Sequence, residues 1–270
     1  MRMLSHAAGA AALILCLRAA TALAQIDYRN LDDDRPTLTE DAYPVERHAF
    51  EFLLPYRLER EPGGGRVHAW IPEIEYGFAR NAQIGLKAPV AIARENGVTD
   101  WGLSGLKVFA LYNFNTESRV LPALSLRGDA TFGVGSLGGS ESRVSLKAIA
   151  TRSWGRSRLH LNGAYTLGRE GTAPVTEAAN RWWAGVAIDR TLFRHSTLLV
   201  GEVYLLQSTR GALVQVNASL GLRRQWTPTT VIDLGLTRRL RAGVGPDLAL
   251  TIGFSHAFAF AWLMPANAAK

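Results

Sequence analysis

Three groups of residues in this sequence have types and spacings that suit known chemistry. Residues 133–138 read Gly-Val-Gly-Ser-Leu-Gly and match the G-x-G-x-x-G loop that binds dinucleotide phosphates at the start of a helix. Ser104 and Lys107 have the S-x-x-K spacing of serine acyltransferases. His48 and His256 fall on the outward-facing positions of predicted strands, where a barrel lipase would carry the histidine of a serine–histidine pair.

The segments that would have to position these residues argue against all three. Residues 142–153, which follow the glycine loop, alternate like a strand, so no helix is present to receive a phosphate. Side chains three apart on a strand point to opposite faces, which separates Ser104 from Lys107. No serine shares both strand face and level with His48 or His256. We therefore predict no catalytic residue, no metal site and no cofactor.

The strands themselves are indicated by apolar residues that recur with a period of two from residue 46 to 258. In 212–223, for example, Val214, Val216 and Ala218 face one way, and polar residues occupy the alternate positions. About twelve strands of this kind are predicted, most of them about 10 to 12 residues long, the length that crosses a bilayer at a tilt. Three lie between 46 and 92, and the others are 102–114, 121–132, 142–153, 158–168, 181–190, 197–206, 212–223, 229–238 and 247–258.

The second face of these strands carries charges. A closed ring of twelve strands is wider than the eight-stranded barrels whose interiors side chains can fill. Charges in a dry core would be costly, whereas lipid outside and water inside suits the pattern. We therefore predict an all-β fold, a closed antiparallel transmembrane β-barrel spanning 46–258. The candidate lumen-facing residues are Glu51, Glu73, Glu75, Lys87, Lys107, Arg127, Asp129, Arg143, Lys147 and Glu202.

The first 24 residues have the pattern of a secretory signal peptide. Arg2 precedes a short apolar stretch, and Ala22-Leu23-Ala24 provides a small-x-small cleavage site. Cleavage removes Cys16, the single cysteine, so the mature chain is predicted to contain no disulfide. It also changes the net charge from +7 to +5. Together with the barrel, this signal predicts the outer membrane of a Gram-negative cell.

An acidic N-terminal arm, residues 25–45, precedes the barrel, and a tail, 259–270, follows it. Residues 25–41 carry a net charge of −4, and the rest of the mature chain carries +9. One interpretation is a solvated terminus. The other is that the arm enters the basic barrel from the periplasm and gates it. The candidate gating residues are Asp32, Asp33, Asp34, Arg35 and Glu40.

Short motifs in the chain resemble the outer-membrane transporter family labelled "MetA-pathway of phenol degradation". Residues 35–40 (Arg-Pro-Thr-Leu-Thr-Glu) resemble its opening, and 72–77 with 83–86 resemble its second hairpin. Shorter pieces at 105–107, 162–163 and 201–202 extend the resemblance over about residues 35–258. The resemblance implies a barrel that conducts small, often aromatic, compounds, and it does not imply an enzyme of phenol degradation.

The sequence therefore favours an outer-membrane channel for small, including aromatic or hydrophobic, compounds. Two alternatives remain: a structural barrel without transport, and an outer-membrane lipid-modifying hydrolase. The lumen charges would either brace the wall as salt bridges or select solutes as a charged ring. The expected partners are outer-membrane lipid, the barrel-assembly machinery and a small-molecule solute, and no nucleic acid.

Overall fold

A computed structural model describes residues 25–95, 97–139, 142–168, 180–192, 196–208, 213–241 and 245–264. The predicted signal peptide, most of the predicted outer loop at 169–180, and His195 lie outside the described residues. Among the residues described, no helix is long and apolar enough to cross a membrane.

The regular secondary structure of the described residues is almost entirely β-strand, as the period-two pattern predicts. A short 3₁₀ helix, Ala261–Leu263, follows the last strand. The strands are β1 Ala49–Leu53, β2 Tyr56–Arg60, β3 Arg66–Trp70, β4 Glu73–Ala79, β5 Ala82–Lys87, β6 Val90–Glu95, β7 Val98–Leu103, β8 Leu106–Asn115, β9 Ala123–Phe132, β10 Arg143–Trp154, β11 Ser157–Gly168, β12 Arg181–Thr191, β13 Thr197–Ser208, β14 Gln215–Thr227, β15 Thr230–Arg241 and β16 Leu248–Ala259.

These sixteen segments form twelve barrel strands, because each of the first four strands is divided into two segments. Strand β16 closes the barrel, since one edge pairs with β15 and the other pairs with β1 and then β2. All pairings within the ring are antiparallel, so the prediction of a closed antiparallel barrel of about twelve strands is confirmed. We call the end with the turns 80–81, 155–156 and 228–229 the short-turn end, and the opposite end the long-loop end.

Three prolines and a glycine produce the breaks in the first four strands. Proline has no N–H to donate to a ladder, and Gly105 has a φ of 121°, which favours glycine. We call Pro55, Pro72, Pro89 and Gly105 the proline seam. Hydrogen bonds of 2.9, 3.0 and 2.9 Å nevertheless join the strands there, from the amides of Ile71, Ala88 and Ser104 to the carbonyls of Pro55, Pro72 and Pro89.

The barrel is apolar outside and charged inside, which is the reverse of a soluble barrel. On β14 the polar side chains of Asn217 and Arg223 are buried, whereas Leu220 is 58% exposed. Tyr112 and Trp154 are exposed near strand ends, where aromatic residues commonly meet the membrane–water interface. The surface therefore fits lipid around the barrel wall.

The C-terminal strand ends one residue later than predicted, at Ala259, which pairs with Ala49. Beyond it the aromatic contacts continue, with Phe260 against Phe258 and Trp262. The beginning of the predicted tail thus continues the aromatic surface at this closure.

Leu161, which is 50% exposed in the middle of β11, tests the lipid-facing assignment. We expect Leu161→Arg to lower the free energy of unfolding by about 2–4 kcal/mol, because it places a charge near the bilayer midplane. Guanidinium unfolding in phospholipid vesicles measures this change.

The matched control is Leu121→Arg, since Leu121 is 57% exposed in the loop before β9. Its expected cost is no more than about 1 kcal/mol. Equal losses in the two variants would contradict a lipid-facing β11.

Candidate functional site

The N-terminal arm forms a loop inside the barrel, with both ends at the short-turn end. The amide of Ile26 donates to the carbonyl of Pro228, in the turn between β14 and β15, at 3.1 Å. At the other end, the amide of Val45 donates to Oε1 of Gln83 on β5 at 2.5 Å. The arm therefore enters and leaves by the same mouth.

The chain reverses at the arm tip, residues 32–36. The amide of Arg35 donates to the carbonyl of Asp32 at 3.1 Å. Behind the tip, the amide of Asp41 donates to the carbonyl of Leu31 at 3.1 Å and holds the two limbs together. The arm tip is thus a closed turn that presents its side chains to several barrel strands.

Apolar residues of the arm pack against the lumen nearer the short-turn end. Leu31 is buried against Leu198 and Val200. Ala42 is buried with Leu111 and Ile149 on another part of the wall. Because fully burying a leucine contributes about 1.5–3 kcal/mol, these contacts help to hold the arm in the barrel.

Asp33 of the arm tip lies among four cations, which we call the cation cage: Lys87, Lys107, Arg127 and Lys147. Its carboxylate is 3.1 Å from Lys87 Nζ, 3.3 Å from an Arg127 nitrogen and 4.0 Å from Lys107 Nζ. It also contacts Lys147 Nζ. Buried charges are stable only when paired in this way, so Asp33 is a principal anchor of the arm.

Glu40 supplies a second carboxylate to the same cage. Its oxygens lie 2.7 Å from Arg127 and 3.0 Å from Lys147. Arg127 also stacks on the Phe109 ring, with its guanidinium carbon 3.6 Å from the ring centroid. Two arm carboxylates therefore neutralise charges that the β9 and β10 walls would otherwise expose to the lumen.

The cage also determines the ionisation of Asp33. Burial alone would raise the pKa of this carboxyl, but Lys147, Lys87, Arg127 and Lys107 lower the pKa well below its usual value of 3.8. Asp33 is therefore ionised throughout the physiological pH range.

The opposite side of the lumen binds the arm with reversed charges. Arg35 lies 3.3 Å from Asp233 and 3.7 Å from Glu51, and 2.6 Å from its arm neighbour Asp32. Asp32 is in turn 2.6 Å from Arg223 on β14. The sequence predicts an acidic arm in a basic barrel, and this description fits only the cage side. The lumen is divided into a basic side and an acidic side.

Three carboxylates on this acidic side, those of Asp32, Glu51 and Glu75, have oxygens within 4.8 Å of one another. That spacing suits a metal ion, but Asp32 already accepts from the guanidinium groups of Arg35 and Arg223. These two guanidinium groups supply positive charge where a cation would otherwise be needed.

Uncharged and acidic lumen side chains bind the arm backbone as well. Glu202 accepts the amide protons of Leu38 and Thr39 at 3.0 and 2.6 Å. Asn162 accepts from the Glu40 amide at 3.0 Å and donates to the Glu40 carbonyl at 2.9 Å. Side chains of the barrel wall therefore satisfy the backbone hydrogen-bonding groups of residues 38–40.

A buried hydroxyl–imidazole–carboxylate chain lies beside the arm. His160 has Nδ1 3.0 Å from the Thr151 hydroxyl and Nε2 2.9 Å from Asp189. This order of groups is that of a catalytic triad. Thr151, however, is fully buried and accepts the amide proton of Ala42 at 3.0 Å. In this structure Thr151, held by His160, therefore binds the backbone of the arm.

The exterior histidines do not assemble a hydrolase. His256 lies 3.0 Å from the hydroxyl of Thr230, and His68 lies 2.8 Å from that of Tyr56. In the described ranges, none of His48, His68 and His256 forms a hydrogen bond with a serine or a carboxylate.

The structure places the predicted lumen residues on the inner face and brings six of them to the arm. Glu73 pairs with Lys87 at 3.2 Å, and Glu75 accepts from Gln83 at 3.1 Å. Asp129 pairs with Arg127, and Arg143 lines a cavity at the long-loop end. The six that contact the arm are Glu51, Lys87, Lys107, Arg127, Lys147 and Glu202.

Four of the five predicted gating residues, Asp32, Asp33, Arg35 and Glu40, bind the lumen wall deep in the barrel. Asp34 has a weaker contact, 3.7 Å from Arg57. Sequence reasoning missed Arg158, which pairs with Asp41 at 3.1 Å. Its position on the charged face of β11 was the available signal.

The outer cavity, of about 310 Å³, lies above the arm tip and faces the long-loop end. Asp33, Asp34 and Leu38 are the arm residues on its lining, and Lys107 is one of the cage residues. The arm tip therefore lies between the filled part of the lumen and the outer cavity at the long-loop end.

The comparisons with known proteins support the barrel fold. No family model matches the sequence, and no curated protein matches it. Among solved structures, the COG4313 outer membrane channel from Pseudomonas putida F1 has a TM-score of 0.65 at 13% identity, covering 85% of this chain and 100% of that one.

Two further structures share the architecture. The KdgM porin has a TM-score of 0.52 at 16% identity, covering 76% of this chain and 99% of that one. The CymD monoaromatic hydrocarbon channel has a TM-score of 0.50 at 8% identity, covering 79% of this chain and 90% of that one. At such low identity these structural matches show a common barrel fold and no more. The predicted family label remains a prediction.

Asp33→Asn tests whether the cage anchors the arm. The reporter is Thr37→Cys, because Thr37 is 2% exposed and its hydroxyl has no partner in the described chain. Loss of the Asp33 charge removes about 3–5 kcal/mol of buried pairing, so a thiol reagent should label Cys at position 37 at least about tenfold faster.

The matched control is Asp34→Asn, the same change one residue away. The Asp34 side chain is 31% exposed, and asparagine tolerates its φ of 70°. We expect less than about a twofold change there, because partly exposed ion pairs contribute little. Equal acceleration in both variants would show that Asp33 is not the anchor.

The depressed pKa of Asp33 predicts how this difference depends on pH. Stability from an acid with a lowered native pKa is present above its unfolded value of 3.8 and is lost as the pH falls through the native value. The labelling ratio of Asp33→Asn to its parent should therefore be constant from pH 7 to about pH 4 and fall only below. Labelling with 4,4′-dithiodipyridine, which reacts in acid, measures the ratio; a decline near pH 5 would contradict it.

Proposed function

We propose that this protein is an outer-membrane channel for small molecules that its own N-terminal arm holds closed. The barrel with its apolar exterior and charged interior supports the membrane assignment, since only a closed ring leaves no unpaired strand edge in lipid. The position of the arm inside the lumen supports its proposed role as a gate.

The observation that carries the proposal is the burial of charge in the middle of the lumen. Arg35, Arg127 and Arg223 have no exposed surface. In an open aqueous pore such side chains would be hydrated, so the arm closes the lumen at this level. Passage of a solute therefore requires the arm to leave the cage.

The orientation follows from the two ends of the barrel. Barrels of this class have short periplasmic turns, and the short-turn end is also where the arm enters. The arm would then approach from the periplasm, where a chain released from its signal peptide meets the barrel-assembly machinery. The long-loop end faces outward.

The small solute belongs to the same proposal. The resemblance of residues 35–40 and 72–77 to a transporter family implies small, often aromatic, compounds, and the CymD channel is described as a monoaromatic hydrocarbon channel. With the arm displaced, Lys107, Arg127 and Lys147 would line one side of the pore and Glu51, Glu75 and Asp233 the other. Such a charged constriction selects among small solutes by their charge.

Planar-bilayer conductance of the mature chain and a Δ25–41 variant tests the gate. We expect the deletion to raise single-channel conductance and open probability, because it removes the arm tip and both cage carboxylates. Equal conductance and selectivity in the two proteins would contradict the proposal.

A second variant guards against misfolding of the deletion. Asp33→Asn with Glu40→Gln keeps the arm but removes its two charges from the cage, so frequent openings are expected, with Asp34→Asn as the control. Heat-modifiable gel mobility verifies that each barrel is folded. Folded variants that are all silent would favour the structural barrel without transport.

A further inference from the structure

The outer cavity combines an apolar wall with a cationic floor, a pairing that the closed gate does not require. Above the proline seam the inner faces of β3 and β6 are apolar, with Val67, Ala69, Ile71 and Ala91 on the lining, whereas β2 contributes the Arg57–Glu59 ion pair. Small apolar side chains leave room for a ligand body, and Leu137 borders the same space.

The floor of the cavity is the cation cage with Asp33 seated in it. Lys87, Arg127 and Lys147 are nearly or fully buried, whereas the Lys107 side chain is 30% exposed. A solute that arrives from the long-loop end therefore meets Lys107 first. Beyond Lys107 it meets Lys87 and Lys147, which also line the cavity, and Arg127 lies behind them.

The charges of the lining favour an anion. Six basic and four acidic residues line the cavity, and two of the four acidic residues, Asp33 and Asp34, belong to the movable arm. Trp183 and Tyr204 provide aromatic surface on the opposite wall. The volume of about 310 Å³ is at the small end of ligand pockets.

We propose that the outer cavity binds a small carboxylate with an apolar, ring-sized body, and that its carboxylate replaces Asp33 in the cation cage. The exchange keeps the number of charges in the cage constant, because one carboxylate leaves as another arrives. The apolar body lies against Val67, Ala69 and Ala91. Binding therefore detaches the arm tip, which couples the presence of the solute to opening; this last step rests on the proposed channel function.

The experiment uses the purified mature protein in detergent and three probes in isothermal titration calorimetry. Cyclohexanecarboxylate has both the charge and the apolar body, acetate lacks the body, and cyclohexylmethanol lacks the charge. We expect the first to bind at least about tenfold more tightly than the other two, because charge-assisted hydrogen bonds and apolar burial act together. Equal binding of the alcohol would overturn the proposal.

Competition with the arm provides the sharper result. Asp33→Asn removes the resident carboxylate, so cyclohexanecarboxylate should bind that variant at least about tenfold more tightly than the parent. The control is Asp27→Asn, because Asp27 is an acidic arm residue that does not line the cavity and its side chain is 40% exposed; this variant should leave the affinity unchanged. Unchanged affinity in Asp33→Asn would show that the probe does not reach the cage.

Lys107 variants locate the probe. Lys107→Gln should weaken binding of cyclohexanecarboxylate, and Lys107→Arg should restore it, since each carboxylate needs a cation at the cavity floor. In the Thr37→Cys reporter, cyclohexanecarboxylate should accelerate labelling and acetate should not. Binding without acceleration would overturn the exchange with Asp33.

The binding assay is independent of the channel assay. If Δ25–41 conducts but cyclohexanecarboxylate does not bind, the carboxylate site fails and the channel stands. If the probe binds in the predicted order but Δ25–41 is silent, the channel fails and the carboxylate site stands.

Discussion

The rest of the structure depends on the pairing of buried charges at the level of the cation cage. Twelve strands enclose a lumen too wide for wall side chains alone to fill, and Arg127 and Arg223 point into it without any exposed surface. Removing one partner of a buried pair costs several kcal/mol, whereas a complete network is tolerated. The arm completes the network by bringing Asp32 and Asp33 to the basic groups and Arg35 to the acidic ones. It acts as part of the interior of the closed barrel.

In the proposed mechanism, this arrangement makes opening and hydration a single event. When the arm tip leaves, the cations around Asp33 lose two carboxylates, and water and ions must take the place of those two groups. A dry lumen without the arm would be unstable, so the displaced state must be a wet one. The proposed open pore would thus be a consequence of the same charges that hold the arm in the barrel. The apolar contacts of Leu31 and the hydrogen bonds from the arm backbone to Glu202 lie on either side of the arm tip. Whether they break or persist decides how much of the arm moves with the tip.

The sequence predicts the barrel well because the information is local. Period-two alternation shows the strands, and charges on the second face, such as Glu73 and Glu75, show the lumen side. The proline seam was not predicted, because Pro55, Pro72 and Pro89 are far apart in the chain and become neighbours only through strand register. The binding of the arm backbone by Glu202 and Asn162 was also missed, since a backbone amide gives no residue-type signal. Charge alone suggested that the arm would bind a basic lumen, but it did not show that Arg35 meets an acidic wall.

The shape of the arm determines from which end of the barrel a solute could reach the proposed gate. Both ends of the arm are attached at the short-turn end, by Ile26 and Val45, so a pull from that side must break contacts along its whole length. From the long-loop end, by contrast, the outer cavity reaches Asp33, Asp34 and Leu38 directly. Asp33 has four ion pairs to the barrel and is also one of three described arm residues on the lining of that cavity. In the proposed mechanism, a solute from the long-loop end would therefore act on the main anchor of the arm without having to reach the end through which the arm leaves.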